Sequence, residues 1–124
     1  MTLIQSSSAP VFALPGVTFT GLASPSRGSR ENAVWRVLLQ AQTPPSPHRV
    51  TREEIFVALS GVADATLAGV HYRLEAGSAF VVPPDTDFSL SNPGAQPFEA
   101  VVVLPVGGCA VIGDQAPFIP PWAA

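Results

Sequence analysis

The chain has 124 residues, of which 47% are hydrophobic and only 12% are charged, and its formal net charge is −3. A chain of this length forms one domain with a core of its own, and its hydrophobic content excludes general disorder. The six basic residues are all arginines scattered along the chain, so the charge distribution gives no support to nucleic-acid binding.

Short apolar runs separated by prolines and glycines follow one another along the chain, which is the pattern of an all-β domain. Residues 1–9 are predicted to form a flexible or strand-exchanging arm, and residues 10–124 the β domain itself. The predicted strands are Val17–Leu22, Ala33–Gln42, Ile55–Ser60, Ala63–Leu67, His71–Leu74, Ala79–Val82, Phe88–Ser91, Phe98–Leu104 and Cys109–Ile112. Ala68-Gly69 and Asn92-Pro93-Gly94 predict turns, and the close spacing of the strands favours a sandwich or barrel built of hairpins.

Two segments in the middle of the chain carry residues at a distinctive spacing. Residues 48–61 read HRVTREEIFVALSG, and residues 77–92 read GSAFVVPPDTDFSLSN. They resemble the two signature motifs of the cupin family, G-x5-H-x-H-x3-4-E-x6-G and G-x5-P-x-G-x2-H-x3-N. The residues that keep the family spacing are Gly61, Gly77, Pro83 and Asn92. The resemblance covers roughly residues 30–105 and implies a single-domain cupin jelly-roll barrel, also called a double-stranded β-helix.

The resemblance also implies where a metal site would lie. In cupins the alternation of strand side chains points four metal ligands into the barrel. On this sequence the four ligand positions fall at His48, Val50, Glu54 and Phe88. Val50 and Phe88 have no lone pair to donate, and two protein ligands are fewer than tight metal sites use. The predicted cofactor is therefore either none or a weakly bound divalent transition metal held by His48 and Glu54.

The preferred hypothesis is a protein that binds a small organic molecule in a mostly apolar barrel cavity. The predicted ligand-binding residues are His48, Val50, Glu54, Phe56, Phe88 and Gln42. The apolar three would contact the body of the ligand, and the polar three would bond its polar end. An alternative is a metal-dependent cupin enzyme, of the dioxygenase or isomerase type, that uses His48 and Glu54. A third interpretation makes these two residues a polar pair at the barrel mouth, bonded to each other or to water.

Two further positions carry structural expectations. Asp85 occupies the glycine position of the second cupin motif, and we expect a turn with positive φ there, which Asp tolerates better than most residues. The segment Pro120-Pro121-Trp122 is expected to pack into a groove on its own barrel or on a partner's, with closure of a ligand cavity as the alternative.

The remaining expectations concern location and partners. Cys109 is the only cysteine, so no intrachain disulfide can form, which is typical of a cytoplasmic protein. The N-terminal segment lacks the positive region of a signal peptide, and no apolar run reaches the length of a membrane helix. The low fraction of charged residues predicts a homodimer, because a second subunit would cover apolar surface. We expect a cytoplasmic homodimer with a small-molecule ligand, and no nucleic-acid or membrane partner.

Overall fold

A computed structural model describes residues 3–124, so Met1 and Thr2, which begin the predicted arm, lie outside the described residues. The described part of the chain contains eleven strands and three single-turn 3₁₀ helices, at Ser6–Ser8, Pro25–Arg27 and Pro121–Ala123. The strands are β1 Val11–Leu14, β2 Val17–Ala23, β3 Asn32–Leu39, β4 Arg49–Val50, β5 Glu54–Ser60, β6 Val62–Leu67, β7 Val70–Glu75, β8 Ala79–Val82, β9 Phe88–Ser91, β10 Phe98–Pro105 and β11 Ala110–Val111. Within residues 3–124, no helix is both long enough and apolar enough to cross a membrane.

The strands form three antiparallel sheets around one hydrophobic core. The largest sheet has the order β1-β2-β3-β10-β5-β8, the second has the order β7-β6-β9, and β11 pairs with β4. Strand β10 lies between β3 and β5, with Val102 opposite both Trp35 and Phe56. Strands that are distant in the sequence are therefore neighbours, and the core contains residues from both larger sheets.

Regular alternation along β3 and β10 explains where this core lies. Successive side chains of a strand point to opposite faces, and in these two strands every second residue is buried. The buried set is Ala33, Trp35, Val37 and Leu39 in β3, and Phe98, Ala100, Val102 and Leu104 in β10. Burial of this apolar surface is the main stabilising contribution to such a fold.

All nine predicted strands are present, with bounds that differ mainly at their ends. Strand β3 ends at Leu39 instead of Gln42, and Gln42 adopts a φ of 63°, which is not an extended conformation. The predicted strand Cys109–Ile112 is shortened to β11. Strands β1 and β4 were not predicted, since β1 lies between two prolines and β4 has only two residues. The predicted boundary between residues 9 and 10 stays a prediction.

Candidate ligand site in the barrel interior

A cavity of about 200 Å³ lies inside the barrel. Its wall is apolar except for Thr43, Ser46, His48 and Glu54. Five of the six predicted ligand-binding residues line this cavity, namely His48, Val50, Glu54, Phe56 and Phe88. The structure therefore brings together residues from both of the segments that the sequence singled out.

Backbone pairing positions these side chains. His48 and Phe88 form an isolated antiparallel bridge in which each residue's N–H donates to the other's C=O at 3.0 Å. This bridge joins the first segment to the second. Glu54 and Phe56 begin β5 and share its inner face, because they are two residues apart. The Phe56 and Phe88 rings meet edge to face with centroids 5.9 Å apart, so the two segments form one continuous wall.

Glu54 is a buried carboxyl, and one of its two oxygens has no partner within the described part of the chain. The residue is only 4% exposed, and among residues 3–124 its Oε1 has no hydrogen-bond partner. Burial raises the pKa of Glu54 to about 8, because removal from water penalises the charged form. At neutral pH the carboxyl is therefore mainly protonated, and it presents an O–H donor and a C=O acceptor.

His48 is held in one tautomer by the backbone. Its Nδ1 lies 2.9 Å from the carbonyl oxygen of Ser46, and because a carbonyl can only accept, Nδ1 carries the proton and donates. Burial lowers the pKa of His48, which the bond to Ser46 offsets in part. In the neutral ring Nε2 is then an acceptor. The ring packs against Phe88 with centroids 4.4 Å apart.

The third interpretation allowed a bond between His48 and Glu54 or a bond from each to water, and among residues 3–124 the direct bond is absent. The His48 ring bonds to Ser46, and Glu54 Oε1 bonds to nothing among residues 3–124. The two residues are thus separate polar groups on an apolar wall. Glu54 in particular is buried inside the barrel, whereas a position at its mouth would leave it partly exposed.

Gln42 lies outside the cavity lining. Its side-chain amide donates to Pro93 C=O at 2.8 Å and to Gly94 C=O at 2.9 Å, so it joins the loop after β3 to the turn after β9. The residue is exposed. The structure therefore assigns Gln42 to loop packing and brings two neighbours, Thr43 and Ser46, to the cavity in its place.

The C-terminal segment forms part of the cavity wall. The Trp122 ring stacks on Phe19 with centroids 3.6 Å apart and an interplanar angle of 1°. Phe118, Pro120 and Trp122 all line the cavity, and Arg27 donates to Trp122 C=O at 3.2 Å. The prediction that this segment packs on its own barrel is confirmed, and the cavity-closing alternative is consistent with the same contacts.

Several residues at the motif positions fix the backbone conformation. Asn92 is fully buried, and its amide donates to Leu39 C=O and Gln96 C=O. Gly61 has a φ of 76°, and a Cβ there would lie 2.2 Å from Pro97 O. Asp85 has a φ of 56°, as expected. Asn92, Gly61 and Asp85 thus act on the backbone conformation, and none of these roles requires a metal.

The family model described as the cupin domain matches residues 34–104. The chain belongs to the cupin family. This confirms the cupin jelly-roll barrel predicted from the two segments. No curated protein matches the chain.

Several solved structures resemble this cupin. The polyketide cyclase RemF from Streptomyces resistomycificus superposes with a TM-score of 0.76 at 17% identity, over 94% of this chain and 87% of RemF. The 7S globulin of Momordica charantia gives 0.77 at 17%, over 93% of this chain and 38% of the globulin. A salicylate 1,2-dioxygenase variant from Pseudoaminobacter salicylatoxidans, in complex with gentisate, superposes with a TM-score of 0.71 at 20% identity. The superposition covers 86% of this chain and 31% of the dioxygenase. At such identities the likeness shows the fold alone.

The side chains of this cupin do not fit a three- or four-ligand metal centre. Two of the four positions that the cupin motifs assign to ligands carry Val50 and Phe88, which are each 2% exposed and line the cavity. The described part of the chain contains no group of three His, Cys, Asp or Glu residues placed to hold a metal. His48 and Glu54 alone leave the site short of the usual ligand number.

Proposed function

We propose that this cupin binds a small, largely apolar organic molecule in its barrel cavity, without a tightly held metal. The observation that carries the proposal is a mostly apolar cavity of about 200 Å³ whose lining includes the His48 imidazole and the buried Glu54 carboxyl. Cavities of roughly 300–1,000 Å³ hold drug-sized ligands, so a smaller molecule suits this one. Mostly apolar walls with a few placed polar groups are typical of ligand sites.

The similar structures support a small-molecule role without specifying the ligand. RemF is named as a polyketide cyclase, and the salicylate 1,2-dioxygenase structure contains gentisate. The resemblance extends over most of this chain in both cases. Because fold does not determine chemistry, these structures support binding of a small molecule and assign no reaction to this chain.

The test is to fill the cavity and measure binding of toluene and indole by calorimetry. Ala110 lines the cavity, so we expect Ala110→Phe to occupy the space and weaken binding of both probes at least tenfold. Ala95→Phe is the matched control, because Ala95 is exposed in the turn after β9 and does not line the cavity. The wild-type protein and the control variant should bind both probes with one site per chain.

Two results would contradict the proposal. If neither probe binds the wild-type protein, the cavity does not accept small apolar molecules. If protein purified without chelators contains one equivalent of iron, manganese, nickel or zinc that is lost in His48→Ala, the metal-dependent alternative is correct.

We also propose that the protein is a cytoplasmic homodimer that pairs through the outer face of the large sheet. Val57 and Leu59 of β5 and Val81 of β8 are all exposed there, and β8 is an edge strand of the sheet. Exposed apolar side chains beside an open strand edge favour association. Sedimentation equilibrium at micromolar concentration checks this proposal, and a species with only the monomer mass would contradict it.

A further inference from the structure

His48 and Glu54 are two of the four polar residues that line the cavity. The Phe88 ring packs against the His48 ring and meets the Phe56 ring edge to face. Glu54 is the next inward-facing residue along β5 from Phe56. His48, Phe88, Phe56 and Glu54 all line the same cavity of about 200 Å³, so one small ligand inside it can meet both polar side chains.

The unpaired acceptor nitrogen of His48 restricts the kind of ligand group that can bond to it. Because Nδ1–H donates to Ser46 C=O, Nε2 has a lone pair available. A ligand group that bonds to Nε2 must donate a hydrogen. A carboxylate or another anion cannot donate, and it would also be placed in a low-polarity cavity beside another carboxyl. Anionic groups are therefore disfavoured.

The Glu54 carboxyl further restricts which chemical group of a ligand can bind here. None of the ion pairs among residues 3–124 includes Glu54, since they join Arg36 to Glu99, Arg49 to Asp87 and Arg73 to Glu75. An ionised carboxylate without a cation on an apolar wall is costly. The neutral carboxyl presents an O–H that needs an acceptor. A hydroxyl group is able to accept from Glu54 and donate to His48 Nε2 at the same time.

Aromatic side chains make up much of the remaining wall. The rings that line the cavity are Phe19, Trp35, Phe56, Phe88, Phe118 and Trp122. Aromatic rings pack well against one another in offset or edge-to-face arrangements. A flat ring fits such a wall, and a volume of about 200 Å³ limits it to a small ring system.

We propose, on the basis of the proposed function, that the site selects a neutral single-ring hydroxyaromatic molecule whose hydroxyl donates to His48 Nε2 and accepts from the Glu54 carboxyl. The ligand completes the hydrogen bonds that the protein leaves open. An ether would bond Glu54 without donating to His48. A hydrocarbon would fill the space and leave both groups unpaired, which costs binding energy.

The experiment compares four single-ring probes by calorimetry at pH 7, namely phenol, toluene, benzoate and benzylamine. The wild-type protein should bind phenol at least tenfold more tightly than toluene, and should bind benzoate and benzylamine more weakly than phenol. In Glu54→Leu the preference for phenol over toluene should fall below threefold. Glu53→Gln is the matched control, because Glu53 is exposed and absent from the cavity wall, and it should keep the full preference.

The other outcomes separate failure of the hydroxyl assignment from failure of the proposed function. Equal binding of toluene and phenol overturns the hydroxyl assignment and leaves the proposed apolar site intact. Tighter binding of benzylamine than of phenol overturns it in favour of an ion pair with Glu54. If none of the four probes binds, the proposed function itself fails. The comparison of phenol with toluene uses the wild-type protein, so it decides the matter even if Glu54→Leu does not fold.

Discussion

The barrel interior has two regions that differ in how completely they are filled. In the packed region, the inward side chains of β10 are fully buried and do not border the cavity. In the open region, Val50, Phe56 and Phe88 are also buried but line about 200 Å³ of free space. The open region also contains the buried carboxyl of Glu54. The packed region therefore stabilises the fold through close contacts between side chains. The open region makes fewer such contacts and contains a buried polar group without a partner in the described part of the chain.

The largest expected effect compares one phenylalanine from each region. Phe98→Ala should lower the free energy of unfolding by about 3–5 kcal/mol, because it leaves a new void in a close-packed core. Phe88→Ala should cost clearly less, since one side of that ring already faces free space and fewer contacts are lost. Urea denaturation of both variants measures the difference. Equal losses would show that the open region is packed as tightly as the rest of the interior.

The difference between the regions also explains what the sequence was able to predict. Strand alternation and motif spacing depend on local geometry, so they placed Val50 and Phe88 in one interior correctly. Gln42 lies outside the cavity lining, and its side-chain amide instead donates to Pro93 C=O and Gly94 C=O, which are 51 and 52 residues later in the chain. A local sequence pattern cannot predict such a contact between distant residues.

The C-terminal part of the cavity wall also depends on a contact between residues far apart in the sequence. The sequence predicted that Trp122 packs in a groove, but the partner ring, Phe19, is near the opposite end of the chain. The unpaired state of Glu54 was beyond prediction for a similar reason. Whether a buried carboxyl has a partner depends on every element around it, and here the surrounding wall is apolar.

A smaller effect tests whether the open region really holds a neutral carboxyl. The pKa of Glu54 is about 8 in the folded protein and 4.5 for the free side chain. Between these values the folded state binds more protons than the unfolded state, so stability is full below pH 4.5 and declines as pH rises toward 8. The slope is at most about 1.4 kcal/mol per pH unit. Burial lowers the pKa of His48 from 6.5, which opposes this trend only at lower pH.

The window from pH 6.5 to 8 therefore isolates Glu54, and we expect the free energy of unfolding to fall by roughly 2 kcal/mol across it. Glu54→Gln should remove most of this decline, because an amide does not titrate. Glu53→Gln should retain it, since that residue is exposed. Urea denaturation at closely spaced pH values measures all three proteins. A flat wild-type profile, or a decline that persists in Glu54→Gln, would mean that Glu54 is solvated or paired. The open region would then resemble ordinary protein surface, and the contrast with the packed region would rest on volume alone.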